Sequence, residues 1–232
     1  MMVSRETSAD PSISLDAEGF SRLFPVSRET QEKLDLYLDL LVQWQPRVNL
    51  VGPATRTDPW RRHILDSAQL LPYLPKGPLL DMGSGAGFPG LVLAILRAAE
   101  NPSPDPVHLV ESDGRKANFL REVVRQTGMD AVQVHNDRME KLVPFPVAVI
   151  TARAVAPLRK LLKLASSFMS AETEFLFLKG RKGEEELTEA SKDWTMTAER
   201  IDSLSDTSGI IFHLKGVKPC PKAGKAPWSG RV

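Results

Sequence analysis

The segment Leu80-Asp81-Met82-Gly83-Ser84-Gly85-Ala86-Gly87-Phe88-Pro89-Gly90 concentrates the residues of this chain best suited to chemistry. Its glycines let a chain turn sharply and bare its backbone to a ligand, while Pro89 presets the first residue of a helix. Residues 85–90 read as Gly-x-Gly-x-x-Gly, the dinucleotide fingerprint in which amides at a helix N-terminus hold a pyrophosphate. The register favours another ligand. An apolar strand ends at Asp81, so Gly83 and Gly85 make the turn itself. A carboxylate at the strand tip repels a pyrophosphate yet attracts a cation, directly or through water. S-adenosylmethionine meets that requirement, with an ammonium and a sulfonium to set near acid and a carboxylate to set near amides. A second acid, Glu111, ends the next strand and can accept hydrogen bonds from both ribose hydroxyls, a feature that would serve NAD as well. No Gly-Lys-Ser/Thr follows, so this is not a Walker phosphate loop. A tight turn with no ligand is the remaining alternative.

The surrounding periodicities predict what must position these groups. Ser27 can cap a helix whose Leu34, Leu38, Leu41 and Trp44 recur at helical spacing until Pro46. Asp58-Pro59 is a second helix start, with Trp60, Ile64, Leu65, Ala68 and Leu71 as its buried stripe. From Gly77 onward short apolar runs alternate with amphipathic stretches. Strands are expected at 79–81, 107–110, 132–134, 147–150, 174–178 and 210–214, with helices from 89, before a C-cap at Gly128, and over 157–168. Such alternation signals an α/β fold, a doubly wound and mostly parallel sheet, whose ligands bind beyond the carboxyl ends of the strands. The division predicted is a flexible leader over 1–26, with a short turn at 15–23 as its only ordered piece, then a helical extension over 27–75. A catalytic domain over 76–217 and a basic tail over 218–232 complete it.

Composition narrows the class. The 232 residues suit one large domain, and 42% hydrophobic with 25% charged residues excludes fibrous and wholly disordered chains. The longest apolar run, residues 91–96, is far too short to cross a bilayer, and residues 1–25 hold no signal-peptide stretch, so a cytoplasmic protein without membrane contact is expected. One cysteine, Cys220, and four scattered histidines offer neither an internal disulfide nor metal-ligand spacing, so no metal is expected. Lys and Arg number 30 against 29 acids, yet the distribution is uneven: from His213 onward there are five cations and no acid, so that the net +1 leaves −4 to everything before. Such a tail reads either as a solvated terminus or as an electrostatic hold on nucleic acid.

Several of these pieces, in this order, resemble the bacterial glucose-inhibited division protein B family, methyltransferase G of small-subunit ribosomal RNA. The matching residues are 44–50, Arg62-His63-Ile64-Leu65-Asp66-Ser67, 81–90, Glu111-Ser112 with Lys116 and Phe119-Leu120, and Arg138-Met139-Glu140. Ala152-Arg153-Ala154, 175–180 and Pro221-Lys222-Ala223-Gly224 continue the series. The resemblance implies a class I (Rossmann-like) methyltransferase fold with an N-terminal helical extension. It further implies transfer from S-adenosylmethionine to N7 of a guanine in the decoding region of 16S ribosomal RNA; free RNA and an assembling small subunit are both open as substrate, and a monomer is expected. The cofactor contacts it implies are Gly83, Phe88, Met139, Glu140 and Arg153; Asp81, Gly85 and Glu111 are added from the turn itself. The three prolines within 99–106 lengthen one connection relative to the family pattern.

Guanine N7 carries no proton, so alignment rather than a general base is the requirement. No catalytic residue is singled out; Arg153, Asn49, Asp66 and His63 are positioning candidates, and Arg153 stands out because it ends a buried strand at the ligand edge. Phosphate contacts are expected from Arg62, Arg138, Lys179, Arg181, Lys222 and Lys225, with Lys182 and Lys218 as further cations. Plainer readings compete. Arg62 and Asp66 lie four apart and can pair on one helix, His63 can be a hydrogen-bonded core residue, Met139 can be ordinary core, and Lys182 can start a solvated helix. Other readings of the chain are a methyltransferase acting on another RNA or a small molecule, and a nonenzymatic nucleotide- or RNA-binding protein.

Overall fold

Five parallel strands form most of the sheet: β1 (Leu79–Met82), β2 (Val107–Val110), β3 (Val132–His135), β4 (Val149–Arg153) and β5 (Glu174–Lys179). The structure is a computed structural model describing residues 14–101 and 103–221. β6 (Trp194–Asp202) and β7 (Ile210–Pro219) complete a seven-stranded sheet of order β3-β2-β1-β4-β5-β7-β6, with β7 antiparallel to both neighbours. The strand order reverses direction at β1, where a crevice opens between β1 and β4. Register does the positioning: Met82 lies opposite Val110 on one side and Ala152 on the other. The next residues, Gly83, Glu111 and Arg153, therefore emerge side by side at the carboxyl edge.

Helices cover both faces. On one side α4 (Gly90–Glu100) and α5 (Gly114–Thr127) pack with the N-terminal helices; on the other lie α6 (Leu158–Ala165) and α7 (Gly183–Ala190). Asp113 caps α5 by accepting from the Arg115 amide at 2.8 Å, and Gly128 ends it at φ 66°, as its sequence position predicts. Among the described residues no helix is long and apolar enough to cross a membrane.

Three features differ from the sequence expectation. Within the leader, α1 (Ala17–Leu23) is capped by Asp16 and packed rather than loose. Its Phe20 is fully buried, 5.5 Å from the Phe24 ring and 5.4 Å from Trp60, a burial worth about 2–3 kcal/mol. Only Phe20 and Leu23 are large apolar residues within the helix, too few to show a helical stripe, yet Leu15, Phe20 and Phe24 are all buried in one core. α2 (Arg28–Trp44) follows with Ser27 as its cap, as predicted. The second helix start also forms, Asp58 accepting from the Arg61 amide at 3.2 Å, but it continues as a π-helical stretch, Trp60–Leu65, before one α-turn, α3 (Asp66–Ala68). Widened turns of this kind recur at functional sites.

The third difference concerns the tail. β7 runs on to Pro219, so a boundary at 217/218 cuts a strand, and Lys215 and Lys218 pair with β6 instead of belonging to a free terminus. β6 escapes the sequence pattern because it is an edge strand in which most residues are exposed, with no alternating buried set to read. Lys222 and Lys225 lie outside the described residues.

Candidate functional site

A cleft of about 890 Å³ opens at the carboxyl edge. Its walls come from four places: the N-terminal region (Leu50, Gly52, Thr55, Arg62, His63, Asp66), the glycine turn (Gly83, Ser84, Gly85, Phe88), the end of β2 with the start of α5 (Glu111, Ser112, Lys116), and the ends of β4 and β5 with the β6–β7 connection (Arg153, Val155, Lys179, Asp206).

The turn is built to receive a ligand. Gly83, Gly85 and Gly87 have φ of 64°, 58° and 97°, conformations that side chains rarely adopt. A Cβ on Gly85 would meet only the Gly83 carbonyl, 3.8 Å away, so the space over this backbone is open. Glu111, nearly buried, accepts from the Gly85 amide through Oε2 (2.9 Å) and from the Asp113 amide through Oε1 (2.7 Å). A carboxylate has about four lone-pair positions, which leaves capacity for a ribose diol on the cleft side. These residues fit S-adenosylmethionine: an open glycine cradle beside an acid whose remaining acceptors face the same space.

Asp81 is placed differently from the sequence reading. It is fully buried beneath the turn and is not part of the cleft wall. Oδ1 accepts from the Thr151 hydroxyl at 2.7 Å, while Oδ2 has no hydrogen-bond partner and faces Gly90. Burial raises its pKa to about 6, against the opposing pull of Thr151, Ser84, the nearby Gly90 backbone and, least, the charge of Arg153. Asp81 therefore has no surface on the cleft for direct contact with a ligand.

Phe88 anchors the turn to the N-terminal region. Its ring lies between Tyr37 of α2 (5.1 Å) and His63 (4.6 Å), and the Arg153 guanidinium sits 5.0 Å from its centroid. The Tyr37 hydroxyl donates to the Ala86 carbonyl. Arg153 then binds three groups of the Trp60–Ala68 segment: the Arg62 carbonyl (2.9 Å), Asp66 Oδ2 (3.0 Å) and His63 Nδ1 (3.2 Å). Burial, reinforced by the charges of Arg153 and Arg62, lowers the His63 pKa to about 3, so the ring is neutral and Nδ1 accepts. Arg62 and Asp66 do not pair with each other. Arg62 bridges to Asp206 at 2.9 Å, and the Ser205 hydroxyl donates to Asp66 Oδ1, which ties the helical extension to the β6–β7 connection.

Of the residues singled out in the sequence, Gly83, Gly85, Phe88, Glu111, Arg153, His63, Asp66, Arg62 and Lys179 converge on this cleft. Met139 packs instead in the core beneath α6, and Glu140, Asn49, Arg138 and Arg181 are exposed and off the cleft wall. Lys179 is not available to phosphate: its side chain is 7% exposed and Nζ is held by Glu186 (2.8 Å) and the Ala156 carbonyl (2.7 Å). Asp206, Glu186 and Val155 carry no signal of their own in the sequence; only the β4 tip at Arg153 points to their neighbourhood.

Comparison with known proteins identifies the fold and the family. A crystal structure of an S-adenosylmethionine-dependent methyltransferase from Aquifex aeolicus superposes with a TM-score of 0.52 at 18% identity, covering 68% of this chain and 93% of that one. The fibrillarin/Nop5p complex gives a TM-score of 0.51 at 17% identity, covering 67% and 82%. These likenesses establish the class I methyltransferase fold. In sequence, a protein of Paramagnetospirillum magneticum named ribosomal RNA small subunit methyltransferase G is 55% identical over 194 residues, covering 83% of this chain and 91% of the relative. The protein of the same name from Rhodospirillum rubrum is 54% identical over 199 residues, covering 85% and 96%. The model of the family described as rRNA small subunit methyltransferase G matches residues 30–209, so this chain belongs to that family of methyltransferases.

Proposed function

We propose that this protein methylates N7 of a guanine in the decoding region of 16S ribosomal RNA, acting as a monomer without a metal ion. Bound in the cleft, S-adenosylmethionine supplies an electrophilic methyl group to which the N7 lone pair bonds as the carbon–sulfur bond breaks, leaving a cationic base and a neutral thioether.

One observation carries the choice of N7: every carboxylate and the imidazole on the cleft wall already hold partners within the chain. His63 accepts from Arg153 and has its pKa lowered to about 3; Asp66 holds Arg153 and Ser205. Asp206 holds Arg62 and the Ser208 amide, Glu186 holds Lys179 and the Leu158 amide, and Glu111 holds two backbone amides. Deprotonating a nucleophile would load a proton onto a group already engaged in an ion pair or an amide contact, whereas N7 has no proton to lose. The side chains then serve to bind and orient. Glu111 and the glycine turn place the methyl donor, and the Arg153 clamp fixes the wall opposite.

Phosphates meet the cations not already engaged. Lys116 on the wall, with exposed Arg181 and Lys182 just beyond Gly180, form no ion pair with the other described residues, and Lys222 and Lys225 add to them from outside the described part. Lys179 and Arg62 are withdrawn from this role by their internal partners.

The test is methyl transfer from labelled S-adenosylmethionine to free 16S RNA, intact small subunits and total tRNA, with mapping of the modified base. Incorporation into 16S RNA at a base that becomes cleavable as 7-methylguanine is the expected result; methylation of tRNA alone would reject the target.

A further inference from the structure

The stretch between β4 and α6 is held more firmly than a plain connection requires. Ala154, immediately after β4, has φ 53°, left-handed for a residue with a Cβ, and such strain persists only where surrounding contacts impose it. Next to it, Val155 lies over the glycine turn: a Cβ on Gly83 would come within 2.8 Å of it. Val155 nevertheless remains 39% exposed and lines the cleft. An apolar side chain thus faces ligand space directly beside the turn that cradles the methyl donor.

A partly buried ion pair holds the same stretch. Lys179 Nζ donates to the Ala156 carbonyl at 2.7 Å, and Glu186 Oε2 accepts both from Lys179 (2.8 Å) and from the Leu158 amide (2.8 Å) at the first turn of α6. For stability alone, apolar residues of similar volume serve a buried position as well as an ion pair does. What they cannot supply is a donor for the Ala156 carbonyl and an acceptor for an unpaired helix N-terminal amide. The pair therefore determines where residues 154–157 sit.

We propose that Lys179 and Glu186 are positioning residues for the acceptor base: they fix this strap so that Val155 is the apolar wall against which the target purine lies, in line with the methyl donor on the glycine turn. This rests on the methyl-transfer reading above. Misplacement by about 1 Å lowers turnover by up to about a hundredfold in well-aligned reactions, so the strap's position is a direct control on rate.

The experiment compares Val155→Ala, Lys179→Met, the double variant, Glu186→Gln and Glu186→Ala. It measures kcat at saturating 16S RNA and S-adenosylmethionine, the Kd for S-adenosylmethionine by calorimetry, and Tm. Val155→Ala and Lys179→Met are each expected to lower kcat about tenfold or more while the Kd changes by less than about threefold. The double variant should be no slower than the slower single variant, because both act through one contact. Glu186→Gln, which keeps an oxygen acceptor, should retain most of the turnover that Glu186→Ala loses. An unchanged kcat in Val155→Ala, or multiplicative losses in the double variant, overturns the positioning role. If Lys179→Met does not fold, Val155→Ala and the two Glu186 variants decide the matter. A wild-type protein that transfers no methyl group to small-subunit RNA overturns the proposed function itself, a result distinct from those of the variants.

Discussion

Arg153 at the tip of β4 is bound to Asp66 of the helical extension, Nη1 to Oδ2 at 3.0 Å, across 87 residues of sequence. The contact joins the catalytic sheet to the N-terminal region and makes the extension part of the cleft rather than an appendage. The side chains are only 20% and 15% exposed, so screening by water is weak.

Removing one partner should therefore be felt. Asp66→Ala leaves the Arg153 guanidinium and the Ser205 hydroxyl short of an acceptor and is expected to destabilise the fold by about 2–3 kcal/mol. Arg62→Gln breaks the bridge to Asp206, where both side chains are about a third exposed, and is expected to cost less than about 1 kcal/mol. Urea unfolding of the two variants checks the difference; equal effects would contradict the clamp.

The two turn glycines should respond differently to a methyl group. Gly85→Ala points into open space, so its effect on stability is limited to about 1–2 kcal/mol of left-handed strain while the new methyl occupies the donor's space and weakens S-adenosylmethionine binding. Gly83→Ala carries the same strain and also strikes Val155 at 2.8 Å, adding about 1–3 kcal/mol. Denaturation together with calorimetric titration of the cofactor separates the two.

Acid should act on Asp81 and His63 with opposite signs. The folded-state pKa of Asp81, about 6, lies above its ordinary value of 3.8, so the folded protein holds that proton more tightly. Stability from Asp81 is thus present at low pH and lost as pH rises from about 4 to 6; relative to Asp81→Asn, wild type should gain up to about 1.4 kcal/mol per pH unit on acidification through that window. His63 is lowered from 6.5 to about 3, so the unfolded chain takes up the proton first. Its contribution is full above about 6.5 and is lost as pH falls towards 3, in the same direction as for His108 and His135, both also lowered by burial. His63→Asn should flatten this acid loss, as read from unfolding midpoints between pH 7.5 and 4.

Salt dependence should distinguish free cations from committed ones. Arg181→Gln with Lys182→Gln is expected to reduce the slope of log K against log[salt] for RNA binding by about 0.7–0.9 for every phosphate no longer neutralised, with unchanged cofactor affinity. Lys179→Gln, by contrast, should leave the slope unaltered and lower Tm. A slope change for Lys179 of the same size would place its ammonium on RNA rather than in the pair with Glu186.

Much of the architecture is legible in local pattern. The caps at Ser27 and Asp58 and the stop at Gly128 all form, because each depends on hydrogen bonds within a few residues. Five of the seven strands carry apolar runs that flag them directly, and β7 is flagged over its buried first half. Where the pattern is silent, packing decides. β6 lacks a buried face, and α1 has too few apolar residues to be recognised without its partner Trp60.

For the site, residue identity at strand tips is enough to nominate Gly83, Glu111 and Arg153, since the ends of parallel strands at a switch point converge whatever the remaining detail. Which charges meet is another matter. Arg62 and Asp66 are neighbours in sequence, yet each takes a distant partner, and Lys179 disappears into a pair with Glu186. Asp81 lies below the turn, packed against Gly90 and held by the Thr151 hydroxyl. Local sequence thus specifies the elements and the ligand edge, through hydrogen bonding and periodicity that act over a few residues. Which charged groups remain free to act is settled by the folded chain alone, because Coulomb energy and desolvation depend on neighbours brought together from far apart.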